Sequence, residues 1–480
     1  MALNKRLAIA VLRWIAIGIV GGQSVLFARS YAPGTTGHTF TSDDAIPVLM
    51  ANADRIDAFS LYYWGQDRWG AWPMLAMGYA HRITGSVWSM GSFYLVVCTM
   101  LALSAFLIWH LSGRFGVSLA LAFAVVVLHW ALPILEIAAP YAWQIVSLLA
   151  AWAAFRAAMS GRSGWLVVAG CATFLSVWSS PNSILCLPVL FVLDALPGPR
   201  DSLSRRVKLA AGTAAAAIPT FLIQYYFHRS AQRAFGSTYA TPIELDYKNW
   251  VQNIAVGASR IPLGAWGIGL IGLIFFAVHR SRGQWRAENR TALGFLWIAF
   301  ASFVPTVLFS WVRLNAMDAR YFCNCTIFLV LAGVLLVLAS LASEIGGLVL
   351  VTALSVLALF PIPSAVASKE QQLELELTDK IAASSERPIV MSVYWKIYEF
   401  AAARHQPNLT PIVLQGELDR TPWTKFSLRP GVTVLVLRSK GQEAPPILEE
   451  YGFSLEILTP FVLSSEICDV ASYLVREKGL

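Results

Sequence analysis

The chain has 480 residues, of which 57% are hydrophobic and only 13% charged, and a formal net charge of +8. Soluble domains carry about 25% charged residues, so a water-soluble globular enzyme is excluded for most of the length. The positive charge is spread through short loops between apolar runs rather than gathered into a basic, aromatic-interleaved module. That placement excludes nucleic acid as a partner and follows the positive-inside rule.

Apolar runs of about 20 residues recur along the first three quarters, and in lipid such runs must be helical because no water satisfies the backbone. Eleven spanning segments are expected, near 7–28, 89–110, 116–134, 141–158, 164–180, 182–196, 208–227, 261–279, 292–312, 321–342 and 346–361. Lys5 and Arg6 precede the first, which reads as an uncleaved anchor rather than a signal peptide. With the N-terminus inside, the inner loops hold Arg114, then Arg156 and Arg162, then Arg200, Arg205, Arg206 and Lys208, then Arg280, Arg282, Arg286 and Arg290. The short outer loops 135–140 and 179–182 hold no Lys or Arg. This charge pattern predicts a multi-pass protein of the cytoplasmic (inner) membrane, N-terminus cytoplasmic and C-terminus outside. The last inner loop, near Ser343–Glu344, is the one without a basic residue.

Two domains are expected. Residues 1–363 form the transmembrane part, with long outer loops at 29–88 and 228–260. Residues 364–480 form a small extracytoplasmic α/β domain, because predicted strands Pro388–Tyr394, Pro411–Gln415, Gly431–Arg438 and Phe453–Leu458 alternate with helical stretches at 367–384, 395–405 and 445–451. The six cysteines make no disulfide framework, and the Cys323-x-Cys325 pair lacks the second half of a zinc site, so they read as packing residues.

The first outer loop carries the most chemistry. Ser42 or Asp43 can cap a helix, with Pro47 in its first turn, where amides have no partner to lose. Ile46, Leu49, Met50 and Ala53 follow at helical spacing, so an amphipathic helix along the outer interface is expected. Asp43 and Asp44 then sit at its start. The helix N-terminus favours ionised carboxylates, whereas their adjacency and a poorly hydrated site oppose ionisation. A carboxylate balanced this way can take a proton from a hydroxyl or hold a divalent cation, and plain capping by Asp43 is the bland reading. Tyr62 through Pro73 is rich in rings around Gln66, Asp67 and Arg68. That stretch suits either an interfacial aromatic belt or a sugar face.

Ser42-Asp43-Asp44-Ala45, Leu49-Met50-Ala51 and Tyr63-Trp64-Gly65-Gln66 with Gly70 nearby resemble the first outer loop of bacterial GT-C glycosyltransferases. These are the enzymes related to protein mannosyltransferases and aminoarabinose transferases. Trp178-Ser179-Ser180-Pro181 resembles the family's outer turn between middle helices. Arg320-Tyr321 resembles the pair that opens a late helix, and Tyr394-Trp395 a strand end of the outer domain. The chain departs from the pattern at Asp44, where glutamate is more usual, and in the run Asp67-Arg68-Trp69 after the Gln66 turn.

The resemblance implies a GT-C-like fold and transfer of a sugar from a polyprenyl-phosphate donor to an acceptor hydroxyl on a glycan, lipid or protein outside the cytoplasm. Asp43 would be the base, with Asp44 supporting it or helping to bind a divalent metal ion. Tyr63, Gln66, Asp67 and Arg68 would line the substrate. Arg320, with Arg313 and Tyr321 beside it, would grip the donor phosphate, as an arginine fork does, although an interfacial arginine can also simply snorkel. Glu136, at the outer end of the third segment, is a candidate second acid or metal ligand. His228 and Arg229 begin the second long outer loop and are weaker candidates. Two rival readings remain: a transporter or flippase of a lipid-linked sugar, and a non-catalytic envelope assembly protein whose tail binds a partner.

Overall fold

Apolar stretches that cannot borrow water must close their own hydrogen bonds, and each expected segment that the structure describes does so as a helix. The computed structural model describes, apart from isolated positions, residues 42–52, 58–62, 70–88, 90–131, 141–196, 203–235, 248–281, 287–308, 319–341, 389–392, 410–413, 433–439, 453–464 and 468–477. The expected segments 7–28 and 346–361 lie outside these residues but for isolated positions. So do the three helical stretches expected in the tail.

In chain order the helices are α1 (Ser42–Ala51), α2 (Trp72–Thr84), α3 (Met90–Leu111), α4 (Gly116–His129), α5 (Tyr141–Met159), α6 (Trp165–Ser179) and α7 (Ser183–Ala195). They continue as α8 (Leu203–Ala215), α9 (Ile218–Phe235), α10 (Trp250–Arg260), α11 (Leu263–Ser281), α12 (Ala287–Leu308) and α13 (Cys323–Leu341). Among the described residues, five stretches are long and apolar enough to cross a membrane: Ser92–Leu111, Tyr141–Met159, Leu203–Ser230, Glu288–Leu308 and Ala319–Leu341. The chain thus has the makings of a polytopic helical membrane protein. α4, α6 and α7 are apolar but shorter than the ~20 residues a crossing needs. α10 and α11 are bent by 98° around Ile261-Pro262. The missing amide of Pro262 breaks the ladder there.

Two expected boundaries move. The segment expected to end at 227 runs on to Phe235, because His228–Phe235 adds Gln, Arg and Ala, which keep a helix going without being apolar. Residues 250–260, expected as loop, form α10.

The chain divides into two compact units. The first comprises Met1–Arg29, Val96–Leu222 and Thr241–Pro363. Its centre is α13, packed by α12, α11 and α4, with α5 packed on α6 and α7. Trp152, Phe155, Phe191, Phe295 and Phe328 are fully buried. Trp152 meets Phe295 edge-on at 5.5 Å, and Phe155 lies 4.5 Å from Phe191. Backbones approach closely between α11 and α13: a Cβ on Gly272 would fall 2.5 Å from the Cα of Gly333. Small residues at such crossings are how helices pack without a hydrophobic drive between them.

An ion pair sits inside this unit. The Arg156 Nε donates to Asp194 at 2.9 Å and the Trp152 indole donates to the same oxygen at 2.8 Å. One further Arg156 nitrogen donates to the Leu111 carbonyl and the Thr291 hydroxyl, both at 2.9 Å. The described cysteines Cys98, Cys171, Cys186, Cys323 and Cys325 are free thiols.

The second unit comprises Ser30–Leu95, Ile223–Ala240 and Ser364–Leu480. Its tail carries a five-stranded sheet of β1 (Ile389–Ser392), β2 (Thr410–Val413), β3 (Thr433–Ser439), β4 (Phe453–Ser464) and β5 (Cys468–Glu477), ordered β2-β1-β3-β5-β4. β2, β1 and β3 run parallel, whereas β5 is antiparallel to both β3 and β4. Parallel neighbours require long crossovers, and the helical stretches expected to form them lie outside the described residues. β5 is a strand the sequence reading lacks.

Candidate functional site

The stretch expected as the first outer loop contains two helices, α1 and α2, packed together within the second unit. α1 begins at Ser42, so Asp43 and Asp44 occupy its first turn. Because the helix starts this early, Pro47 is its sixth residue rather than part of the first turn. Having no amide, it cannot return a ladder bond to the carbonyl of Asp43. The side chains of Asp43 and Asp44 lie outside the described residues.

α1 is not the interfacial amphipathic helix expected from its spacing. Ile46, Pro47, Val48, Met50 and Ala51 are all buried and Leu49 half-buried, and α2 packs against α1. Asn52 fastens the end of this helix. Its amide donates to the Trp88 carbonyl at 2.7 Å and to the Val48 carbonyl at 3.0 Å. Its carbonyl accepts the Trp88 amide at 2.7 Å. The Trp88 indole in turn donates to the Met77 carbonyl of α2 at 2.8 Å. α2 ends on Gly85, whose φ of 69° is the left-handed conformation glycine adopts freely.

Between the two helices the chain turns back on itself. Tyr62 pairs with Gly70 in an antiparallel bridge, and the Ala71 amide donates to the Leu61 carbonyl at 3.0 Å. The Tyr62 ring is buried and lies 4.9 Å from Phe227. This closes the ends of the segment 63–69. Tyr63, Gln66, Asp67 and Arg68 themselves lie outside the described residues, as do Arg313 and Glu136. Among the described residues no group of three His, Cys, Asp or Glu could hold a metal ion.

In the first unit, Arg320 and Tyr321 lie in a 3-10 turn, Ala319–Phe322, that leads directly into α13. Arg320 is half-buried. Its guanidinium sits 5.1 Å from the centre of the Tyr321 ring and donates to the Tyr321 hydroxyl at 3.3 Å. A ring beside a guanidinium in this way helps to orient it. At the second residue of α13, the Asn324 amide donates to Gln144 at 3.0 Å. Gln144 donates to the Ser183 hydroxyl at 3.4 Å, so a buried polar ladder joins α13, α5 and α7. Ser183 follows the turn after Trp178-Ser179-Ser180-Pro181, all of whose residues but Pro181 are buried.

His228 lies with its ring 5.7 Å from Phe227, and Arg229 donates to the Tyr225 hydroxyl at 3.0 Å. Both are helical residues of α9 rather than loop residues. The sequence reading missed Asn52, Trp88, Gln144 and Asn324. For Gln144 and Asn324 a signal existed, since amides inside apolar helices seek each other. For Asn52 and Trp88 none did, because they are 36 residues apart.

No family model and no curated protein matches the chain. Among solved structures, the apo-state crystal structure of ArnT from Cupriavidus metallidurans is similar over 96% of this chain and 98% of that chain, at 12% identity and a TM-score of 0.45. What this chain does is therefore read from its own residues.

Proposed function

We propose that the chain is a membrane glycosyltransferase that moves a sugar from a polyprenyl-phosphate donor to an acceptor hydroxyl on the outer face of the membrane. The observation that carries this reading is the framework of the first loop. A helix begins at the Ser42-Asp43-Asp44 motif, and its far end is clamped through Asn52 to Trp88. Carboxylates in the first turn of a fixed helix can act on a substrate without first ordering the loop, and pre-organisation of this kind is a large part of catalysis.

In the reaction Asp43 takes the proton of the acceptor hydroxyl. The hydroxyl oxygen bonds to the anomeric carbon as the bond from that carbon to the phosphate oxygen breaks, and the electron pair leaves on the polyprenyl phosphate. Arg320 stabilises the charge that accumulates there. Asp44 supports Asp43, and the adjacent carboxylates are the ligand chemistry a divalent cation takes, should one be needed to hold the phosphate. Tyr63, Gln66, Asp67 and Arg68 face the sugar, and the acceptor is a glycan, lipid or protein. The reading also rests on orientation. The first long loop and the tail belong to one compact unit, which supports their lying on the same side of the membrane.

The test is release of polyprenyl phosphate from a lipid-linked sugar by the purified chain. Asp43→Asn keeps the size and most of the capping ability, so it should fold and yet lose about 100- to 10,000-fold in rate. Arg320→Ala should weaken donor binding, with Arg320→Lys recovering part of it. Wild-type transfer by a well-folded Asp43→Asn would sink the assignment of the base.

A further inference from the structure

The first unit contains a cavity that sugar transfer on the outer face does not use. It measures about 320 Å³ and is lined by Leu111 to Gly113, Arg156, Met159, Ser160, Asp194, Arg206, Glu288, Arg290 and Thr291. These residues come from the end of α3, the ends of α5 and α7, and the first turns of α8 and α12. By the loop charges this is the cytoplasmic end of the bundle.

Its charges are unequal. Asp194 is committed to Arg156 at 2.9 Å, and Glu288 to Arg114 at 3.1 Å. Arg206 and Arg290 also line the cavity, so three arginines and two carboxylates face it. Arg290 is half-buried and forms no ion pair among the described residues. The first turns of α8 and α12 add amides that have no intrahelical acceptor, which favours an anion further. The Thr291 hydroxyl, at the same spot, already donates to Leu111 and accepts from Arg156.

The rim points to the source of that anion. Val192 and Leu196 on α7 and Val207 on α8 are exposed apolar residues beside Asp194 and Arg206. Arg205 and Lys208 are exposed on the same turns of α8. A basic hollow opening beside apolar, lipid-facing residues is the arrangement that seats an anionic lipid headgroup.

We propose that this cavity is a binding site for a phosphate ester anion, filled from the cytoplasmic leaflet by the headgroup of an anionic membrane lipid, with Arg290 as its phosphate-gripping residue. The site stands whatever the outer face transfers, because none of its residues belongs to the first loop or to the Arg320 turn.

The experiment uses the full chain purified in detergent, with dioleoylphosphatidylglycerol, dioleoylphosphatidylcholine and inorganic phosphate as probes. Native mass spectrometry should retain phosphatidylglycerol on the wild type in preference to phosphatidylcholine. Arg290→Gln should lower that retention about tenfold, the loss of one charge-assisted hydrogen bond, and Arg290→Lys should keep part of it. Glu288→Gln removes a carboxylate from the lining and should raise retention about threefold. That sign cannot be produced by misfolding. Retention unaffected by excess inorganic phosphate assigns the site to lipid. Binding of inorganic phosphate alone, lost in Arg290→Gln, keeps the anion site but gives it a soluble occupant. Equal retention of both lipids by the wild type, with no response to either variant and no phosphate binding, overturns it.

Discussion

α3 and α13 are both runs of apolar residues, yet they live in different surroundings. Along α13 nearly every residue from Cys323 to Leu338 is buried inside the protein. Along α3, Leu103, Phe106 and Trp109 are exposed. Hydropathy therefore locates a span but does not say whether protein or lipid covers it. What separates the two is the kind of residue that interrupts the apolar run. α13 carries Asn324, which finds Gln144 across the bundle, and Gly333, which lets α11 come within backbone contact. α3 presents large side chains to the outside instead. Lipid tails solvate such side chains about as well as a helix neighbour would, so only the buried helix must fit its partners.

The difference can be broken or sharpened by substitution. The largest effect is expected where burial and charge coincide. Arg156→Leu removes the cation from Asp194, leaving it the Trp152 indole, and removing one partner of a buried pair costs about 3–5 kcal/mol. The value should fall at the lower end, since the Arg156 side chain keeps 28% of its exposure. Thermal unfolding in detergent should show a clear drop, with much of it restored in the Arg156→Leu, Asp194→Leu double variant. Next comes Gly333→Leu, whose Cβ alone would stand 2.4 Å from the Ile268 carbonyl oxygen. Overpacking of this kind costs about 1–3 kcal/mol, to be read from the same melts. The smallest effect is expected on α3. Phe106→Ala should change stability in detergent by no more than about 0.5 kcal/mol. A loss at Phe106 as large as that at Gly333 would mean that α3 is covered by protein and the contrast fails.

The same contrast explains what the sequence could and could not reveal. The described apolar helices were legible because each run of apolar residues dictates a helix by itself, whatever its neighbours. The start of α1 was legible from Ser42 and Asp43, and four strands from local alternation. Its burial was not, because α2 and Trp88 supply it from a distance. β5 was missed because Ala471, Ser472 and Tyr473 are all buried, so apolar and polar residues do not alternate there. α10 hid in a stretch taken as loop, although Trp250, Val251 and Ile254 carried a helical spacing. At the candidate site, Arg320 was legible as the residue opening α13, whereas its seat on the Tyr321 ring depends on the 3-10 turn.

The Asn52–Trp88 clamp has a consequence for the integrity of the chain. Its two Asn52–Trp88 hydrogen bonds, the packing of α1 on α2 and the Tyr62–Gly70 bridge all tie residues on opposite sides of the segment 63–69. Their hold does not pass through the peptide bonds of that segment. A protease that cut once within 63–69 would sever the polymer without separating the halves. The nicked protein would run as two fragments in denaturing gels and as one species on a sizing column.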